Sequence, residues 1–157
     1  MIASPFEVCV DAGLAVKMVV TEPDSSRVEA LFQQWADGGT QVIAPAFFQV
    51  ETDSILRKKA TARRELTAED AEAAFRDLQA LPIRQVSLPG QRQRAWEIAC
   101  DFGLPTVYDA TYLAVADLRA CEFWTADERL CTRVKHRLTF VRWLGEFAPQ
   151  VMAPDIP

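Results

Sequence analysis

The sequence predicts an α/β fold with a central parallel sheet covered by helices on both faces. Two observations carry the prediction. Short β-rich runs alternate with helix-period segments along the whole chain, as in parallel sheets joined by helical crossovers. Acidic residues also stand where strand-like runs end, the edge at which open α/β sheets place their ligands.

The elements follow in order. "FEVCV" (6–10) is a short strand ending at Asp11, and "GLAVKMVV" (13–20) a short helix stopped by "TEPDSS". "SSRVEALFQQWADGG" places Val28, Leu31, Phe32 and Trp35 at helical spacing, with Ser25 or Ser26 as cap and Gly38-Gly39 as stop. "QVIAP" (41–45) is a second strand, and "AFFQVETDSILRKKA" (46–60) the helix that follows it. Thr67 opens the next helix, with Asp70 at capping-box distance. "IRQVSL" (83–88) is a strand, and "QRQRAWEIACDFG" a helix closed by Gly103. "VYDATYLAVADLRA" (107–120) is a helix, "CEFWT" (121–125) a strand, "DERLCTRV" (127–134) a short helix and "LTFVRWL" (138–144) a last strand.

With 157 residues, half of them apolar, the chain is long enough for one domain with a sizeable core. One domain over 1–145 with a tail over 146–157 is expected. The apolar runs are too short for a membrane span. The N-terminal stretch lacks the basic region of a secretory signal, so a cytoplasmic protein is expected. The four cysteines show no C-x-x-C spacing and are expected as buried small hydrophobes, not zinc ligands. His136, in "RVKHR", is expected at the surface.

A net charge of −5 excludes a generic polycation that coats nucleic acid. Basic charge is concentrated in "LRKKATARRE", with Arg57, Lys58, Lys59, Arg63 and Arg64. That stretch reads equally as a solvated helix end favoured by the helix dipole and as a local anion-binding patch.

Four carboxylates are candidates for chemistry. Asp11 ends the first strand and Asp127 follows the "CEFWT" strand; helix capping is an alternative for each. Glu51 falls within an inward stripe read as Phe47, Val50, Ser54 and Ile55. A carboxylate there needs a partner, either a core-edge arginine or a metal ion. Asp109 lies near the start of its helix on the line through Tyr112, Leu113 and Ala116. Asp117, eight residues on, stands about 12 Å further along the axis and cannot share its ion. Two like charges 4 Å apart cost about 1 kcal/mol in water and about 4 kcal/mol near a protein surface. A hard divalent cation relieves such repulsion, and all-oxygen ligands suit Mg2+ or Mn2+.

At these residues the chain resembles the PIN-domain family, in particular VapC-type toxins. Four blocks carry the resemblance: "VCVDAGLAVK", "APAFFQVETDSILRK", "VYDATYLAVA" and "FWTADERL". Ser54 stands where related toxins often carry Asn, and Met18 where an aromatic often stands. The resemblance implies a three-layer α/β/α sandwich. It implies a metal-dependent endoribonuclease whose pocket is Asp11, Glu51, Asp109 and Asp127, with Thr125 orienting a carboxylate or a water. It further implies RNA hydrolysis to 5′-phosphate and 3′-hydroxyl ends, a homodimer, and a small antitoxin that blocks the pocket in a type II toxin–antitoxin pair. Arg57, Lys58, Arg63 and Arg64 are then candidates to guide the RNA backbone. The competing readings are a non-catalytic RNA- or protein-binding module of the same fold and, more remotely, a phosphoryl-transfer domain with an aspartyl nucleophile. The "VDAGLA" sequence lacks the paired acids that the last would need.

Overall fold

The computed structural model describes residues 6–149. The part of the expected C-terminal tail beyond residue 149, and the N-terminal stretch read for a secretory signal up to residue 5, lie outside the described residues. Among the described residues five strands form one parallel sheet: β1 (Glu7–Val10), β2 (Gln41–Pro45), β3 (Ile83–Val86), β4 (Glu122–Thr125) and β5 (Val141–Trp143). Their order is β3-β2-β1-β4-β5. β1 is therefore central, with β2 and β3 laid down on one side of it and β4 and β5 on the other. Val10 of β1 is level with Trp124 of β4, so the residues that follow them, Asp11 and Thr125, emerge side by side. That is the switch point at which doubly wound sheets open a crevice.

Among the described residues seven helices flank the sheet: α1 (Ala12–Val16), α2 (Ser25–Asp37), α3 (Phe48–Ala60), α4 (Ala68–Ala80), α5 (Gln91–Phe102), α6 (Tyr108–Arg119) and α7 (Glu128–Val134). A 3-10 turn, Leu144–Glu146, follows β5, and Phe147 then stacks edge-on against Trp124 at 6.0 Å.

Strand alternation divides the core. Val8 and Val10 face α2, where they meet Val28, Leu31, Phe32 and Trp35. Cys9 faces the other way, into a layer with Ile43, Phe123, Ile98 and Leu113. The sheet is thus covered on both faces, as a three-layer α/β/α sandwich. A third cluster joins Val16, Val20, Leu56, Ala74 and Leu78 where α1, α3 and α4 meet.

Several local expectations change. α1 ends after five residues, and turns carry the chain through Lys17–Val19. Asp24 occupies the N-cap of α2; the Ser25 hydroxyl instead donates to the Val20 carbonyl and accepts from the Glu22 N–H. The buried stripe of α3 is Phe48, Thr52, Leu56 and Lys59, while Val50 and Ser54 are exposed. Lys59 is accommodated inside because its ammonium pairs with Glu22 and Glu65. Of the cysteines, Cys9 and Cys131 are buried but Cys100 is exposed. His136 is exposed and meets the Phe102 ring edge-on.

Phe123, fully buried beneath α6, anchors the strand that presents Thr125. Phe123→Ala should cost about 3–5 kcal/mol of stability. The measurement is urea unfolding, with the midpoint lowered and the m-value retained.

Candidate functional site

The site begins at the carboxyl ends of β1 and β4. Asp11 is the N-cap of α1, and its Oδ1 accepts the Leu14 N–H at 2.7 Å. Its Oδ2 accepts a short hydrogen bond from the Thr125 hydroxyl. The Thr125 oxygen in turn accepts the Asp127 N–H at 2.9 Å. Asp127 caps α7 by accepting the Leu130 N–H at 3.0 Å through Oδ1. Capping and clustering therefore coexist: the caps set the carboxylate directions, and the wholly buried Thr125 links the two acids.

Glu51, in the first turn of α3, leans toward α6. Its Oε2 accepts the Tyr112 hydroxyl at 3.3 Å. The Tyr112 ring is buried and packs edge-on against Phe47 and at a tilt against Phe123. This phenol is the partner that a salt-bridge expectation for Glu51 did not include. Asp109 stands in the first turn of α6, on an exposed stretch.

The electrostatics tie the four together. Burial raises the Asp11 carboxyl from its ordinary 3.8 to about 7; the Thr125 and Leu14 hydrogen bonds oppose that rise, and the Asp109 and Asp127 charges add to it. Desolvation by the surrounding protein raises Asp109, and the Asp127 charge raises it further. Glu51 is raised by desolvation and then by Asp109, against the Tyr112 hydrogen bond. Tyr112 itself is held far above its ordinary range by burial and by the Glu51 and Asp11 charges, so its hydroxyl stays protonated and donates.

Among the described residues, none of the four acids forms an ion pair with lysine or arginine. Asp117, by contrast, is paired with Arg94 at 2.6 Å. The donor set is all oxygen and uncompensated, which suits a hard divalent cation. The carboxylates have not closed onto a point, however. Among the described residues no three acidic, histidine or cysteine side chains already form a ready-made metal cage.

The basic candidates lie elsewhere. Arg57 and Lys58 are in the last turn of α3, with Arg57 about 9 Å along the axis from Glu51. Arg63 and Arg64 lie in the turn beyond, where Arg63 stands 3.8 Å from Glu65. The arginines that share a depression with Asp109 and Asp127 are Arg129 and Arg133 of α7. They are not among the sequence-predicted candidates; their four-residue spacing just after an acidic cap is the signal the sequence offers.

A parallel sheet of this order, with Asp11 and Thr125 side by side at its switch point, defines a doubly wound α/β/α class. The PIN domain family model matches residues 8–135, and the chain belongs to that family. PIN domains are generally nucleases that use divalent metal ions. Among solved structures the chain is similar to PAE2754 from Pyrobaculum aerophilum, with 18% identity over 90% of this chain and 93% of that one and a TM-score of 0.63. It is also similar to VapC20 of Mycobacterium tuberculosis, a sarcin-ricin loop cleaving toxin. There the identity is 17% over 81% of this chain and 95% of that one, with a TM-score of 0.57. No curated protein sequence matches the chain. No helix among the described residues is long and apolar enough to cross a membrane.

Asp11 gives a pH prediction for the metal-free protein. Its folded-state pKa lies above the unfolded one, so between about pH 4 and pH 7 the folded state binds the extra proton. Stability therefore falls as pH rises through that window. Asp11→Asn removes the cost of the buried charge and should raise Tm at pH 8 but hardly at pH 4.5. The gain has a ceiling of about 4 kcal/mol. Thermal melts in EDTA at the two pH values check this; a uniform shift at both contradicts it.

Proposed function

We propose that the protein is a metal-dependent endoribonuclease, with Mg2+ or Mn2+ as cofactor, and the toxin of a type II toxin–antitoxin pair. The observation that carries the reading is the set of four carboxylates left without cationic partners among the described residues, three of which, Asp11, Glu51 and Asp109, are raised in proton affinity by desolvation and by their acidic neighbours. The family's general chemistry and the likeness to a VapC toxin support it. In this reading Asp11, Glu51 and Asp109 hold the principal ion, and Asp127 completes the pocket. A bound divalent ion neutralises charge on the scissile phosphoryl group and makes the attacking water more acidic.

The chain's own residues do the positioning. Thr125 fixes the Asp11 carboxylate and the Asp127 backbone with one hydroxyl. Tyr112 aims Glu51 into the pocket without adding positive charge. Such supporting partners typically affect metal affinity or activity by roughly 10–100-fold.

The proposed partners are an RNA substrate, a cognate antitoxin and a second copy of the chain. Exposed Trp96, Val107 and Tyr108, which line one open depression together with Phe47, support an apolar face for a partner protein. A second reading, a non-catalytic binding module of the same fold, is favoured by the absence of a closed cage among the described residues.

Incubating a structured RNA with the pure protein separates the two. Cleavage is expected with Mg2+ or Mn2+, none with EDTA and none with Asp11→Asn. Tyr112→Phe, which keeps the ring packing, should lower the rate by roughly 10–100-fold. If no metal-dependent cut occurs, and Asp11→Asn behaves as the unsubstituted chain, the binding module is the correct reading.

A further inference from the structure

An open depression of about 650 Å³ extends from Asp109 and Asp127 along α7. Leu130, Arg129 and Arg133 line it. Arg129 and Arg133 are four residues apart, so they share one face of the helix. Both are exposed, and among the described residues neither guanidinium is engaged by a carboxylate, although Glu128 and the two acids lie in the same depression. The neighbouring cations are engaged: Lys135 with Glu146, Arg137 with Asp101 and Arg142 with Glu122.

The chain carries a net charge of −5 and repels a polyanion at long range, so an approaching backbone needs local positive charge to come close to four carboxylates. Guanidinium groups suit that task, because their planar donors match phosphate oxygens two at a time. At the basic end of α3, Arg57 stands about 9 Å along the axis from Glu51, and among the described residues Arg57, Lys58 and Arg64 are likewise without a carboxylate partner, but only Arg129 and Arg133 line the depression that holds Asp109 and Asp127.

We propose that Arg129 and Arg133 hold backbone phosphates of the RNA beside the acid cluster, so that the strand runs along α7 and not past the basic end of α3. The inference rests on the nuclease reading for the identity of the polyanion. It adds the surface and the direction of the bound strand.

The test is equilibrium binding of a short single-stranded RNA by fluorescence anisotropy, in EDTA, across a salt series. Asp11→Asn serves as the parent so that no cleavage intervenes. Each phosphate contact on a single strand contributes a slope of about −0.7 in log K against log salt. Arg129→Gln with Arg133→Gln should therefore flatten the slope by about 1.4, while Arg57→Gln with Lys58→Gln should leave it in place. Circular dichroism verifies that these exposed substitutions leave the fold intact. An unchanged slope in the α7 variant overturns the proposal. So does an equal loss in the α3 variant, or a parent that does not bind RNA.

Cleavage by the unsubstituted chain, run alongside, separates the two readings. Metal-dependent cleavage with an unaltered slope sinks the arginine track alone. A flattened slope without any cleavage supports the track and sinks the nuclease.

Discussion

The hydrogen bond from Thr125 to Asp11 is the interaction on which the site depends. It joins the ends of two neighbouring strands, and it forms only because β1 and β4 pair with Val10 level with Trp124. A one-residue slip would turn Thr125 to the other face of the sheet. The same hydroxyl oxygen accepts the Asp127 N–H, so one wholly buried side chain sets the spacing between the first and last acids. Sheet register is thereby converted into site geometry. The two helix caps finish the arrangement, since each uses an Asp oxygen to hold a helix start and fixes the carboxylate as it does so.

Charge is distributed unevenly along the strand direction. At the amino edge of the sheet, Glu7 is clamped by Arg84 and Arg119, which pull its carboxyl below the ordinary range. Beside α1, Glu22 is held between Lys17 and Lys59 and is likewise lowered. At the carboxyl edge the pattern reverses: Asp11, Glu51 and Asp109 are all raised, and no cation meets them among the described residues. The protein therefore has the means to neutralise carboxylates and uses them away from this crevice. Structural ion pairs can perturb proton affinities too, but they lower acids; clustered acids raised together are the pattern associated with functional sites.

Much of this was legible in the sequence, and the gaps have physical causes. The strand–helix alternation and the four acids at strand and helix ends carry local signals, and the sheet with its covered faces follows from them. α2 was read correctly because Val28, Leu31, Phe32 and Trp35 make an unambiguous stripe. α3 was not, because Phe47, Val50 and Ile55 form an apolar pattern that competes with the true stripe. The true stripe contains a threonine, whose hydroxyl is satisfied by the Phe48 and Gln49 carbonyls. It also contains a lysine, tolerated because Glu22, distant in sequence, and Glu65, just beyond the helix, meet it. Long-range partners of that kind leave no local trace. The same holds for Tyr112, which read as core and is core, yet carries its hydroxyl to a residue sixty-one positions earlier.

The choice of a phenol beneath Glu51 follows from the electrostatics. A buried carboxylate needs a donor, and a lysine or arginine would have supplied one with more energy. It would also have cancelled part of the negative potential that draws a cation into the crevice. Tyr112 donates without charge, and the acids around it push its own ionisation further out of reach, so the donor is most secure when the cluster is most negative. Thr125 follows the same rule at Asp11, and the backbone N–H groups of Leu14 and Leu130 follow it at the two caps. Neutral donors orient Asp11, Glu51 and Asp127, and the charge these carry is left for a ligand to meet.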